Sequence, residues 1–337
     1  MRKRSEDLKS MTDTTAVTGQ REAAAAAPST PASIGRLVDL ARYPIHDLSA
    51  PRGRALVRRC RAKMRQDGSL LLEGFVREGV VDLMCAEVVG LPAHRRLEIV
   101  DVMRRDPWVD KTLYEEEEAE DRKMLADHPL YYQMPQDVHA VASDLVPRAS
   151  LLRQVYDSPE VMAFIAAVNG QREVHQYADE FQALNVMYIK DGGSRAWHYD
   201  GSDYVVTLML QPADEGGEFE YAPFIRGEAV GDERFDRVKK LFSGQWPTKR
   251  TRCKAGALAV FNGRRSLHRV RTVFGGKDRI MSVLSYAKTP GEEGTPEKNV
   301  TLYGERVARI YEDRGVALRR DASGEVVVSV NKLQSKL

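Results

Sequence analysis

Residues 185–200 read Asn-Val-Met-Tyr-Ile-Lys-Asp-Gly-Gly-Ser-Arg-Ala-Trp-His-Tyr-Asp. The apolar run up to Ile189 reads as a strand. Asp191-Gly-Gly-Ser reads as a turn, and the remainder as a second strand carrying His198 and Asp200. Residues i and i+2 of a strand point to one face. The imidazole and the carboxylate therefore converge on a point that a metal ion could occupy. His268, far downstream at the start of another strand, is the candidate third donor. His-x-Asp alone is common by chance, so its surroundings must carry the argument.

The chain around this hairpin is rich in short strands. Val174, Gln176 and Ala178 alternate. Apolar runs at 204–210, 217–221, 256–262, 268–273 and 278–286 follow, separated by glycine and proline turns. Such spacing predicts a sandwich or barrel, of which a jelly roll is one form. Residues 226–245 read as a charged, partly helical insertion that could cap a pocket or frame a groove. Before this region the period is helical. Helices are expected at 51–65, 77–89, 93–105 and 146–156, and another opens at Ser158-Pro159, an N-cap followed by proline. A short buried strand is expected at 69–75. The acidic run Glu115 to Glu118, with Glu120 and Asp121, reads as a solvated face. The expected division is a disordered tail at 1–33, a mainly helical part at 34–170 packing on the core, a β core at 171–290, and a C-terminal helix (301–313) and tail at 291–337. A short strand is possible at 325–330.

Composition removes other classes. The 337 residues carry 51 Lys+Arg against 49 Asp+Glu, a balance that gives no global signal for nucleic acid or a membrane surface. Arg264, Arg265, Arg269 and Arg271 cluster, and read as a solvated strand face. The 3 cysteines, Cys60, Cys85 and Cys253, lack paired spacing, so free thiols are expected. No apolar run reaches membrane-spanning length and no signal-peptide pattern follows Arg2-Lys3-Arg4, so a cytoplasmic location is expected.

Two imidazoles and one carboxylate leave coordination positions free on Fe(II). A 2-oxo acid and O2 can fill them, and an arginine fork can pair with a distal carboxylate. Arg279, on the strand after His268, is placed for that. Together Asn185-x-x-Tyr188, His198-x-Asp200, Glu215-Gly-Gly-Glu-Phe-Glu-Tyr221, the 256–262 strand, Ser266-Leu-His-Arg-Val270 and Arg279 resemble the Fe(II)/2-oxoglutarate-dependent oxygenases. The likeness is greatest to the group that halogenates or hydroxylates free amino acids, and it covers residues 185–290, roughly a third of the chain.

The resemblance implies a double-stranded β-helix core in a mainly β fold with flanking N-terminal helices. It implies Fe(II) held by His198, Asp200 and His268, 2-oxoglutarate as co-substrate bound through Arg279 and Tyr188, O2, and release of succinate and CO2. Where many members place serine two residues after the arginine, this chain has Met281. Halogenating members carry glycine or alanine at the carboxylate position, leaving room for chloride; Asp200 therefore implies hydroxylation. The implied substrate is a free amino acid or a similar small polar metabolite, with no nucleic-acid or membrane partner. A peptidyl or protein hydroxylase, or a non-catalytic jelly-roll binding module, are the alternatives. Trp197 beside the ligand is read either as lining the pocket or as packing on the other sheet face, and Arg195, Asp203 and Glu180 are further charged residues near the site.

Overall fold

Proline and capping residues set where the helices begin. The computed structural model describes residues 31–103, 128–320 and 326. Its helices are α1 (Pro31–Leu37), α2 (Pro51–Asp67), α3 (Glu78–Val88), α4 (Leu151–Tyr156), α5 (Pro159–Val168), α6 (Phe235–Phe242), α7 (Pro296–Tyr303) and α8 (Glu305–Asp313). Ser158 caps α5, its Oγ accepting from the Val161 N–H at 3.3 Å, with Pro159 in the first turn.

The strands are β1 (Ser69–Leu72), β2 (His94–Asp101), β3 (Gln133–Val141), β4 (His175–Gln176), β5 (Leu184–Ile189), β6 (Arg195–His198), β7 (Val205–Gln211), β8 (Glu215–Gly216), β9 (Phe219–Ala222), β10 (Lys249–Thr251), β11 (Leu258–Phe261), β12 (Leu267–Val270), β13 (Val273–Phe274), β14 (Arg279–Leu284) and β15 (Tyr286–Ala287). A seven-stranded sheet has the order β1-β11-β7-β14-β5-β3-β2, and a four-stranded sheet the order β10-β9-β12-β6. All their neighbours are antiparallel. Along the chain the core strands change sheet in turn. β5, β7, β11 and β14 belong to the large sheet; β6, β9 and β12, which fall between them, belong to the small one. That alternation is a double-stranded β-helix, a jelly roll, in a mainly β fold with helices. The Phe261 ring of β11 meets Phe219 of β9 at 4.8 Å and His268 of β12 at 4.7 Å, so the two sheets face each other.

The far face of the large sheet is covered by helices. Val186, Leu208 and Val260 of that face share one buried cluster with Leu56 of α2, Met84 of α3 and Phe164 of α5. Removing each such side chain from water is worth roughly 1.5–3 kcal/mol, so this layer anchors the sheet. The outer face of the small sheet is covered by the insertion. Trp197, Tyr199 and Leu267 pack with Val238 and Leu241 of α6. The 226–245 insertion thus lies behind the small sheet instead of over the jelly-roll mouth. Within it Arg226 stacks on the Tyr199 ring at 3.7 Å and pairs with Glu233 at 2.7 Å.

Several expected elements come out differently. The 93–105 helix is strand β2. Its alternation is inverted, with His94, Arg96 and Glu98 on the less exposed side and Leu97 and Ile99 at 65% and 66% exposure. Polar residues facing inward hid the two-residue period. The 146–156 helix begins only at Leu151, because Ser150 caps it by accepting from the Arg153 N–H at 3.1 Å. The 301–313 helix is two helices, parted at Gly304 with φ of 75°. The 34–170 part supplies β1, β2 and β3 to the large sheet, beyond its helices. Residues 1–30, the acidic run at 115–121 and all of 325–330 except Val326 lie outside the described residues. Among the described residues, no helix is long and apolar enough to cross a membrane.

Candidate metal centre

β6 and β12 are adjacent, and His198 stands directly across from His268. Their rings lie 4.1 Å apart. β6 ends at His198, so Asp200 lies in the irregular stretch just after it, before the bend at 201–203. It is fixed there by its N–H donating to the Gly263 carbonyl at 3.2 Å. Only glycine fits opposite: a Cβ on Gly263 would sit 1.7 Å from Asp200 Oδ2.

The donor atoms converge. His198 Nε2 is 3.7 Å from Asp200 Oδ1, and His268 Nε2 is 3.3 Å from Asp200 Oδ2. The ligating atoms of the three residues all lie within 4.8 Å of one another. Donors about 2.1 Å from one ion and at right angles stand about 3 Å apart, so the spacing suits a single cation. The other ring nitrogens fix the tautomer. His198 Nδ1 donates to the Ala196 carbonyl at 2.8 Å, and His268 Nδ1 to the Ser266 carbonyl at 2.9 Å. A carbonyl can only accept, so both Nδ1 atoms carry a proton, and the two Nε2 atoms are the ones that face Asp200. Burial, then the neighbouring His268 and Arg195, hold the His198 pKa well below 6.5. Burial alone would raise the Asp200 carboxyl, but His268, His198 and Arg195 outweigh it and bring it to about 2. At neutral pH the set is a neutral imidazole beside a carboxylate, the form that binds Fe(II).

Arg279 reaches this interior from β14. It is 3% exposed. Its Nε donates to the Gly217 carbonyl at 3.0 Å, while Nη1 and Nη2 meet only the Met281 thioether, at 3.8 and 3.9 Å. Sulfur is a weak acceptor, and no carboxylate pairs with this guanidinium among the described residues. A buried cation without a counter-charge costs several kcal/mol. The arrangement leaves the outer guanidinium donors open to an anion. Gly216 explains the double glycine beside it: with φ of 65°, its Cβ would stand 2.0 Å from the Thr272 carbonyl oxygen.

Tyr188 does not join these residues. It packs in the helix-facing cluster and its hydroxyl donates to the Val88 carbonyl at the end of α3. Strand parity is the reason: Arg279 pairs with Ile189 and Ile280 with Tyr188, so Tyr188 and Arg279 occupy opposite faces. Trp197 packs on the outer face of the small sheet. Asp203 is neutralised by Arg264 at 2.8 Å and by Lys288, and Glu180 by Arg314. The clustered arginines are likewise taken up. Arg265 pairs with Glu228 at 2.6 Å, and Arg269 and Arg271 pair with Glu220 at 2.7 and 3.4 Å. Burial alone would raise the Glu220 carboxyl, but Arg250, Arg269 and Thr248 bring it to about 2.

Sequence reasoning missed a polar wall beside the ligands. Gln136 of β3, Arg96 and Glu98 of β2 and Arg195 of β6 are linked by side-chain contacts. Lys298, exposed on α7, has Asp200 and Asp179 as the carboxylates acting on it. The inverted alternation of 94–99 was the signal that could have found this wall.

Fold, donor set and buried arginine together fit a non-haem iron oxygenase of the 2-oxoglutarate-dependent class. The sequence profile of the family described as Halogenase D matches residues 109–301, more than half of the chain, and the chain belongs to that family. It is an enzyme of that family. No curated protein matches it in sequence. Among solved structures it is similar to the non-haem α-ketoglutarate-dependent epimerase SnoN from nogalamycin biosynthesis, with 14% identity, a TM-score of 0.47, and coverage of 69% of this chain and 81% of that one. It is also similar to a 2OG-Fe(II) oxygenase family oxidoreductase from Burkholderia pseudomallei (16%, TM-score 0.44, 70% and 92%). A third is HygX from Streptomyces hygroscopicus with nickel, 2-oxoglutarate and hygromycin B bound (12%, TM-score 0.44, 71% and 90%).

Proposed function

We propose that this protein hydroxylates an unactivated C–H bond of a free amino acid or a similar small polar metabolite. In this reading His198, Asp200 and His268 hold Fe(II), and Arg279 pairs with the C5 carboxylate of 2-oxoglutarate. The carrying observation is Asp200. Its carboxylate occupies the third donor position beside the two Nε2 atoms, the place a halogenating site leaves open for chloride. Bound there with 2-oxoglutarate and O2, iron supplies an oxidant strong enough to break such a bond, with succinate and CO2 released. The chain's own part is to aim both imidazoles, to anchor the co-substrate through one buried cation, and to exclude water by packing Phe219 and Phe261 against His268.

The test follows the products. Fe(II)-loaded protein should form succinate from 2-oxoglutarate, and His198→Ala should abolish both this and iron binding. A mass screen of amino acids and related metabolites should find a gain of one oxygen. In Asp200→Gly with chloride present, hydroxylation should fall at least tenfold. Chlorinated product from the unaltered protein, or full hydroxylation by Asp200→Gly, would refute the reading.

A further inference from the structure

β6 is bulged where it meets β12. His268 pairs with His198, yet Val270 pairs with Arg195 instead of Ala196, so one extra residue is accommodated between them. A bulge re-aims the side chains that follow it. Here it turns Arg195 to the same face as His198, where its charge acts on both His198 and Asp200.

Arg195 is only partly buried, and its Nη1 donates to Gln136 Oε1 at 2.7 Å. It forms no ion pair among the described residues, although a guanidinium carries five N–H donors. The nearby carboxylates are committed elsewhere. Glu98 accepts from Arg96 at 2.6 Å and from Gln136 Nε2 at 2.9 Å, and Asp200 faces the two imidazoles. Burial, then the like charge of Arg96, pull the Arg195 pKa down to about 10. Lys298 adds a further cation near Asp200. With Arg279 assigned to 2-oxoglutarate, this wall keeps a cationic surplus.

We propose that Arg195, aimed by Gln136 and backed by Arg96, receives an acidic group of the primary substrate, a carboxylate or a phosphate. It is a specificity-determining residue of the site described above, and the inference rests on that reading for the chemistry that follows binding. The substrate is then an anion held by a planar fork, which favours two-oxygen acceptors. Gln136 sets the tilt of the fork, and the β6 bulge sets its distance from the ligands.

Calorimetric titration tests this. The protein is loaded with 2-oxoglutarate and a redox-inert divalent ion, and titrated with two probe sets: the standard amino acids with their carboxamides, and a series of phosphate monoesters with their neutral alcohols. Probes of one set should bind, which tells carboxylate from phosphate. Arg195→Gln should weaken the acid at least tenfold, Arg195→Lys should recover part of that, and the neutral analogue should lose little further in Arg195→Gln. Melting temperatures of both variants identify a folding failure, and the Lys variant then decides. Equal acid-to-neutral preference in Arg195→Gln and the unaltered protein, or no binding from either set, would overturn the assignment. Succinate formation by the unaltered Fe(II)-loaded protein without a probe tests the parent reading separately, since it does not depend on the affinity ratio.

Discussion

At the scale of single residues, Arg279 offers the sharpest measurement. Its guanidinium is buried against a thioether, with one backbone carbonyl as its only oxygen partner among the described residues. A charge-assisted, two-point contact to a carboxylate is worth several kcal/mol when desolvated. Arg279→Met should therefore raise the KM for 2-oxoglutarate on the order of a hundredfold. Tyr188→Phe should cost about 1 kcal/mol of stability through the lost bond to Val88 and leave that KM in place. Succinate formation against 2-oxoglutarate concentration separates the two, and an unmoved KM in Arg279→Met removes Arg279 from the co-substrate site. Donor chemistry and flanking strings mark His198, Asp200, His268 and Arg279 in the sequence, and the fold brings the first three together. Tyr188 was misassigned because a motif position does not reveal strand parity. Arg195 was underrated because a bulge is invisible in a pattern of alternation.

At the scale of elements, the lesson lies in β2 and in α7. β2 looked helical because its inner side is charged and its outer side apolar, the reverse of an ordinary half-buried strand. What fixes it is eight paired positions along β3, information held elsewhere in the chain. α7 is tied down by a buried amide. Asn299, 0% exposed, donates to Asp179 Oδ2 and the Tyr311 hydroxyl at 2.7 Å each, and accepts from Gln182 Nε2 at 2.6 Å. Replacing it with alanine strands three polar partners. Asn299→Ala should lower the unfolding free energy by about 2–3 kcal/mol, read from the urea midpoint. A loss under about 0.5 kcal/mol would show that the partners find other bonds. The strands of the core, by contrast, were legible from spacing and turn glycines, their ends within three residues of those observed.

At the scale of the whole molecule, acid should destabilise the metal-free protein. Burial holds His198, His94 and His139 below the ordinary imidazole value of 6.5. The folded state then binds fewer protons than the unfolded one, so the stability they allow is complete above about pH 6.5 and declines as pH falls below it. The Asp200 and Glu220 carboxyls, held near 2, contribute stability that is full above about pH 5 and is lost progressively as pH falls toward 2; Asp157, raised by burial, works against the decline. The urea midpoint should fall between pH 7 and pH 5, and His198→Gln should flatten the slope. A midpoint constant over that range would count against buried neutral histidines. Counting short strands led to a sandwich or barrel, and the resemblance singled out the jelly roll, whereas the switch between sheets became visible only once the pairing partners were known. The two Nδ1 bonds have a last consequence. Each imidazole is braced by the carbonyl two residues before it, so the brace travels with the strand and owes nothing to distant parts of the chain. The coordination geometry is thus rehearsed in the bare protein, and an ion can leave and return as to a socket, exchanging at a rate set by its own dissociation and not by any refolding around it.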